Sequence, residues 1–144
     1  MAAQQQSFAN HAKVVPVYHY FTFGLVAAYL VYRIYLLVTG PSVGAAMELA
    51  GAVALLMIMF WARVFALRVQ DRVIRLEMHL RIHQLAPDLS SRFGEFTINQ
   101  LCGLRFASDA ELPDLARKVL TDKLHDRTAI KKMIREWLPD LARA

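Results

Sequence analysis

One cysteine, Cys102, stands in a chain of 144 residues. A lone thiol excludes an intramolecular disulfide framework and suits a reducing compartment. Charge is nearly missing from the first half. Of 17 Lys and Arg, only Lys13, Arg33 and Arg63 precede residue 68, and of 12 Asp and Glu only Glu48 does. Glycine and proline are absent between Gly51 and Pro87, so nothing in that stretch stops a helix. GxGxxG, P-loop and GxSxG patterns are also missing, which leaves dinucleotide, phosphate-loop and nucleophile-elbow chemistry without support. The pI near 9.7 invites a nucleic-acid reading. The tail mixes both signs closely, however, so a strong nucleic-acid footprint is not evident and no nucleic-acid partner is expected.

What is present is apolar. Hydrophobic residues make up 56% of the chain, against about 45–50% for a soluble domain. The excess sits in two runs, 16–38 (PVYHYFTFGLVAAYLVYRIYLLV) and 43–67 (VGAAMELAGAVALLMIMFWARVFAL). Each exceeds the roughly 20 residues that cross a hydrocarbon core about 30 Å thick. A buried core helix is the alternative, but helices apolar all round need a membrane or a large protein about them. A cleaved signal peptide is another reading of the first run. Its apolar stretch is longer than an ordinary signal core, and Arg33 interrupts it.

Thr39, Gly40, Pro41 and Ser42 form a turn signal between the runs. So short a linker predicts an antiparallel transmembrane hairpin over 16–67. Basic residues orient it. The linker has none, whereas Lys13 precedes the first run and Arg68, Arg72, Arg75 and Arg81 follow the second. Both termini are therefore expected in the cytosol. Tyr18, His19, Trp61 and Arg63 would anchor the cytosolic boundary, with Tyr18 stacked on or bonded to Arg63.

Hairpin geometry makes a sharper prediction. Residues at equal depth have numbers that sum to about 81, and Arg33 and Glu48 meet that condition about 10 Å from the tip. A lone charge at mid-membrane costs about 2.5–3.5 kcal/mol, so the two are expected to pair and fix the register. The alternatives are a snorkelling Arg33 and a protonated or water-exposed Glu48.

The second helix is expected to run on through about residue 85. Residues 68–86 would form a cytosolic stalk and 87–144 a small helical domain, after a polar segment at 1–15. On the stalk, Ala66, Val69, Val73, Leu76, Leu80 and His83 alternate spacings of three and four, an a/d seam. Arg72 and Glu77 take the g and following e positions, which pair between parallel helices. Asp71 with Arg75 and Glu77 with Arg81 suit i,i+4 pairing within one helix. The seam serves either a homodimer or the chain's own C-terminal helices.

Further on, Thr97 with Gln100 and Ser108 with Glu111 read as capping boxes. Helices are predicted after Ser108, reaching to about Leu124, and from Asp126 to Trp137. The latter carries Ile130, Met133, Ile134 and Trp137 on one stripe. His79 and His83 lie four apart, a metal-ligand spacing, but Leu80 stands where a zinc protease needs Glu. A structural role is expected for both, and no metal or cofactor. Cys102, between Leu101 and Gly103, reads as a packed thiol. Lys131, Lys132 and Arg135 read as a solvated basic face, or one that meets anionic headgroups.

The stretches at 8–13 (FANHAK), 66–77 (ALRVQDRVIRLE), 104–113 (LRFASDAELP) and 134–140 (IREWLPD) resemble a family of small bacterial membrane proteins known as a domain of unknown function. The resemblance covers nearly the whole chain. It implies a bacterial inner-membrane protein and supplies no activity or functional residues. The combined expectation is an all-α, two-pass membrane protein acting as a non-enzymatic interaction or assembly module. Its partners would be the lipid bilayer, a membrane or cytosolic protein, or a second copy. The alternative is a subunit of an oligomeric transport or channel complex.

Overall fold

The computed structural model describes Phe8 and residues 15–139. The polar segment expected at 1–15, with His11 and Lys13, lies outside the described residues except for Phe8 and Val15. A π-helical turn (Val17–Thr22) leads into α1 (Phe23–Thr39) and then α2 (Val43–Leu85). A 3-10 helix (Pro87–Glu95), α3 (Ile98–Leu104), α4 (Leu112–Thr121) and α5 (Arg127–Lys132) follow. The chain is mostly helical. Among the described residues no strand forms, although an isolated antiparallel bridge joins Ala107 to Trp137. Two compact units result, one spanning Val14–Leu67 and the other Arg68–Ala144 together with Met1–Lys13, so one boundary falls within α2.

In the first unit the turn is built locally. The Gly40 amide donates to the Leu36 carbonyl at 2.9 Å and closes α1. Ser42 Oγ accepts the Ala45 amide at 3.1 Å and opens α2, an N-cap that satisfies an otherwise orphaned donor. Two contacts make the helices neighbours: Arg33 Nη1 lies 2.6 Å from Glu48 Oε2, and the Tyr18 hydroxyl donates to the Met59 carbonyl at 2.8 Å. As one residue number rises the other falls, so the helices run antiparallel. A core helix of a water-soluble protein would bury its large apolar side chains. Here Leu25, Val31, Tyr35, Leu55, Ile58 and Phe60 are all exposed. The helical stretch Val17–Thr39, the π-helical turn with α1, and α2 are each long and apolar enough to cross a membrane.

The second unit condenses on one edge of α2. Ile74, Met78 and Ile82, four apart, are buried along a ridge, with Ala86 just beyond the helix. Leu89, Phe93, Phe96, Leu101, Leu104, Leu112, Leu115, Val119 and Ile130 complete the core. Thr97 closes its capping box: its side chain accepts the Gln100 amide, and Gln100 Oε1 accepts the Thr97 amide at 2.8 Å. Gln100 Nε2 then donates to the Leu124 carbonyl at 2.8 Å, so a buried amide side chain is satisfied at both ends. Gly103 lets α5 approach α3, since a Cβ there would lie 2.9 Å from Ile130 Cγ2. The α4 helix closes with Lys123 at φ 49°, while the Leu124 amide reaches back to Val119 O at 3.1 Å, a left-handed C-terminal motif that glycine usually fills.

Several expectations are corrected. Ser108 and Glu111 form only half a box. Ser108 Oγ accepts the Glu111 amide at 3.3 Å, but the Glu111 carboxylate accepts the Arg135 and Glu136 amides instead. Helix α4 therefore starts at Leu112, where Pro113 fits the first turn, and ends at Thr121 rather than Leu124. Helix α5 stops at Lys132, because residues beyond it leave the axis to bond Glu111 and to bring Trp137 against Ala107. Arg81 does not pair with Glu77. It reaches Asp109, which can be met together with two backbone carbonyls.

Two substitutions check this packing. Gly103→Ala should destabilise the full chain by about 1–3 kcal/mol, since Ile130 and the Arg127 carbonyl crowd the new methyl, while Gly94→Ala, with open space around it, should not. Lys123→Gly should stabilise by roughly 0.5–1 kcal/mol through relief of left-handed strain. Thermal unfolding in detergent micelles, followed by circular dichroism, measures both.

Candidate interaction face

The seam residues lie on the free side of α2. Val69, Val73, Leu76 and Leu80 are 62%, 48%, 61% and 54% exposed. Ala66 and His83 are exposed as well. The reading in which this stripe packs on the chain's own C-terminal helices is therefore overturned. Those helices hold the Ile74, Met78 and Ile82 edge instead, and one helix cannot bury both faces in so small a unit. Arg72 and Glu77 flank the seam, and both are exposed. Neither joins any of the ion pairs found among the described residues.

Beside the seam, Arg81 holds the helix to the segment after α3. Its Nη2 lies 2.6 Å from Asp109 Oδ1 and 3.0 Å from the Ala107 carbonyl, and its Nη1 donates to the Arg105 carbonyl at 3.1 Å. One planar guanidinium thereby fixes three acceptors, which suits arginine and not lysine. A groove of about 440 Å³ lies alongside, lined by Glu77, Leu80, Arg81, Gln84, Arg105 and Leu138 among others. Leu80 and Leu138 leave exposed apolar surface at its edge. Arg117 makes a second long-range tie, reaching Asp88 Oδ1 at 3.0 Å, and this contact holds the Asp88 carboxyl below its ordinary range.

Within the first unit, Arg33 and Glu48 form the 2.6 Å contact with side chains 21% and 53% exposed. The Arg33 guanidinium also lies 4.9 Å from the Tyr29 ring centre and 5.9 Å from that of Tyr32. Aromatic faces stabilise a cation held away from water. The Tyr18 hydroxyl donates to the Met59 carbonyl, and among the described residues no contact joins it to the expected Arg63. His19 sits edge-on to Tyr18 at 5.1 Å and accepts the Val15 amide at Nδ1. Trp61 packs at 5.7 Å from both Phe60 and Phe65.

Residues that invited a chemical reading have structural surroundings. His79 rests on Phe93 at 4.6 Å, and His83 Nδ1 meets Ser90 Oγ at 3.0 Å. Cys102 lies 3.9 Å from Asp71 Oδ1, and burial, then that carboxylate, raises its thiol pKa, the reverse of nucleophile activation. Lys131 is not part of a solvated face: it is buried with its Nζ 4.8 Å from the Phe106 ring centre. Phe106 stacks on Trp137 at 4.5 Å, with Arg105 against the same ring. Sequence reading missed this cluster and the Arg81–Asp109 tie, since their members are some thirty residues apart and no spacing rule links them.

The sequence profile of a family of unknown function (DUF6526) matches residues 1–144. The chain belongs to that family. No curated protein and no solved structure matches it.

The thiol's surroundings give a measurable outcome. Alkylation of Cys102 by iodoacetamide should show a pH midpoint above that of a free thiol, and Asp71→Asn should lower it. A midpoint below the free-thiol value would restore Cys102 as a candidate nucleophile.

Proposed function

We propose that this family member is a membrane-anchored interaction module without catalytic activity. Residues 16–67 form its transmembrane hairpin in a bacterial inner membrane, with both termini in the cytosol. The observation that carries the reading is the apolar seam at Val69, Val73, Leu76 and Leu80, which stays exposed although a complete core forms behind it. Large apolar side chains presented in a row outside a core mark a contact surface. The long apolar helices support the anchor, and the uncharged linker against the basic flank of the second run supports the orientation. The Arg33–Glu48 contact suits a register pin within that anchor, because pairing offsets the cost of each charge in hydrocarbon.

A second reading has one observation in its favour. The Glu48 side chain is half exposed on an otherwise apolar surface. Several copies that turned it inward would make this chain a subunit of an oligomeric transport or channel complex. Ion flux through liposomes, abolished by Glu48→Gln, would favour that reading over the module.

The anchored-module reading is tested in native membranes. The chain should stay with the membrane pellet through alkaline carbonate washing. A photo-crosslinking residue placed at Leu76 should form an adduct with protein, and one at the exposed Lys118 should not. Recovery of the chain in the soluble fraction without detergent would refute the anchor, and a bare Leu76 position would refute the interaction face.

A further inference from the structure

Resting on the interaction-module reading, we infer that the occupant of the exposed seam is a second copy of this chain, running parallel to the first. The central residues of the seam suit this partner. Ala66, Val73 and Leu80 take the a positions and Val69, Leu76 and His83 the d positions. A β-branched residue at a followed by leucine at d, here Val73 and Leu76, favours two strands over three or four.

Charge supplies the direction. In a parallel pair, a g residue faces the e residue five positions on in the other helix. Arg72 then meets Glu77 of the other copy, and symmetry repeats the pair on the opposite flank. Both side chains are exposed and join no ion pair among the described residues, so they are available for this contact. The next g and e positions hold His79 and Gln84, which introduce no repulsion between carboxylates or guanidinium groups. Two copies anchored in one bilayer would also enter their stalks from the same end, which enforces the parallel direction.

The packing behind the seam makes the surface usable. Ile74, Met78 and Ile82, on the opposite edge, are buried against the chain's own core, so dimerisation needs no unfolding. A seam this short would bind weakly between free peptides. Confinement to one membrane raises the effective concentration and compensates, as tethering does in any linked pair. His83 at the last d position marks where the apolar seam ends.

The test uses the full chain, with Cys102→Ser to remove the native thiol. Leu76→Cys should give a covalent dimer on mild oxidation in liposomes and in cell membranes, and Lys118→Cys should not. Arg72→Glu or Glu77→Arg alone should weaken the detergent-solubilised dimer about tenfold, because two attractive pairs become repulsive. Mixing the two variants should restore dimers containing one of each, since every g and e pair is then attractive. Val73→Asp with Leu76→Asp should yield the monomer mass in native mass spectrometry with an unchanged helical spectrum. A membrane-bound chain whose position 76 crosslinks only to a different polypeptide would overturn the self-pairing and leave the interaction module standing. Charge variants that pair as well as the wild type would overturn the parallel register. A chain recovered in the soluble fraction would overturn the anchor on which both rest.

Discussion

Everything after residue 68 depends on a helix that has two apolar edges and can bury only one of them against its own chain. The Ile74, Met78 and Ile82 ridge takes the C-terminal helices, and full burial of each such side chain contributes about 1.5–3 kcal/mol. That choice leaves Val69, Val73, Leu76 and Leu80 outside. The core behind them is complete, with Phe96, Phe106, Leu101, Leu104 and Leu112 wholly enclosed. The exposed row is therefore a remainder that the fold leaves over.

Polar contacts hold the short helices where the ridge alone would leave them free to slide. Arg81 ties α2 to the turn after α3 through a carboxylate and two carbonyls. Gln100 caps its own helix and reaches the Leu124 carbonyl near the end of the next one. Glu111 gathers the amides of Arg135 and Glu136 once α5 has ended. Each of these side chains satisfies more than one backbone group, which matters because a buried amide or carbonyl left alone costs about 1–3 kcal/mol. Helices of six, seven and ten residues are marginal by themselves. They persist here because their ends are bonded and their apolar faces share one core.

The surroundings of the reactive side chains fit the same picture. A nucleophilic cysteine needs a thiolate, and Cys102 is pushed the other way by burial and by Asp71. The two histidines four apart on α2 are occupied by Phe93 and Ser90. Beside the exposed apolar row on this helix, Arg72 and Glu77 are exposed and join none of the ion pairs found among the described residues. Family membership, which spans the whole chain, gives the fold a place without adding chemistry to it.

The sequence by itself determined the long-range plan. The missing glycine and proline after Gly51 wrote α2 through Leu85, the four-residue linker wrote the turn, and Thr97 with Gln100 wrote the start of α3. Depth matching put Arg33 opposite Glu48 because helix rise is fixed and the linker is short. These features follow from neighbours in the chain or from counting along rigid helices. Tertiary structure alone decided which edge of α2 would be buried, since both edges carry apolar residues at helical spacing. It also sent Arg81 to Asp109, stacked Trp137 on Phe106 and ended α5 at Lys132. Such contacts join residues far apart in sequence, and they form only where the folded core holds the partners close enough for one acceptor to outcompete a nearer one.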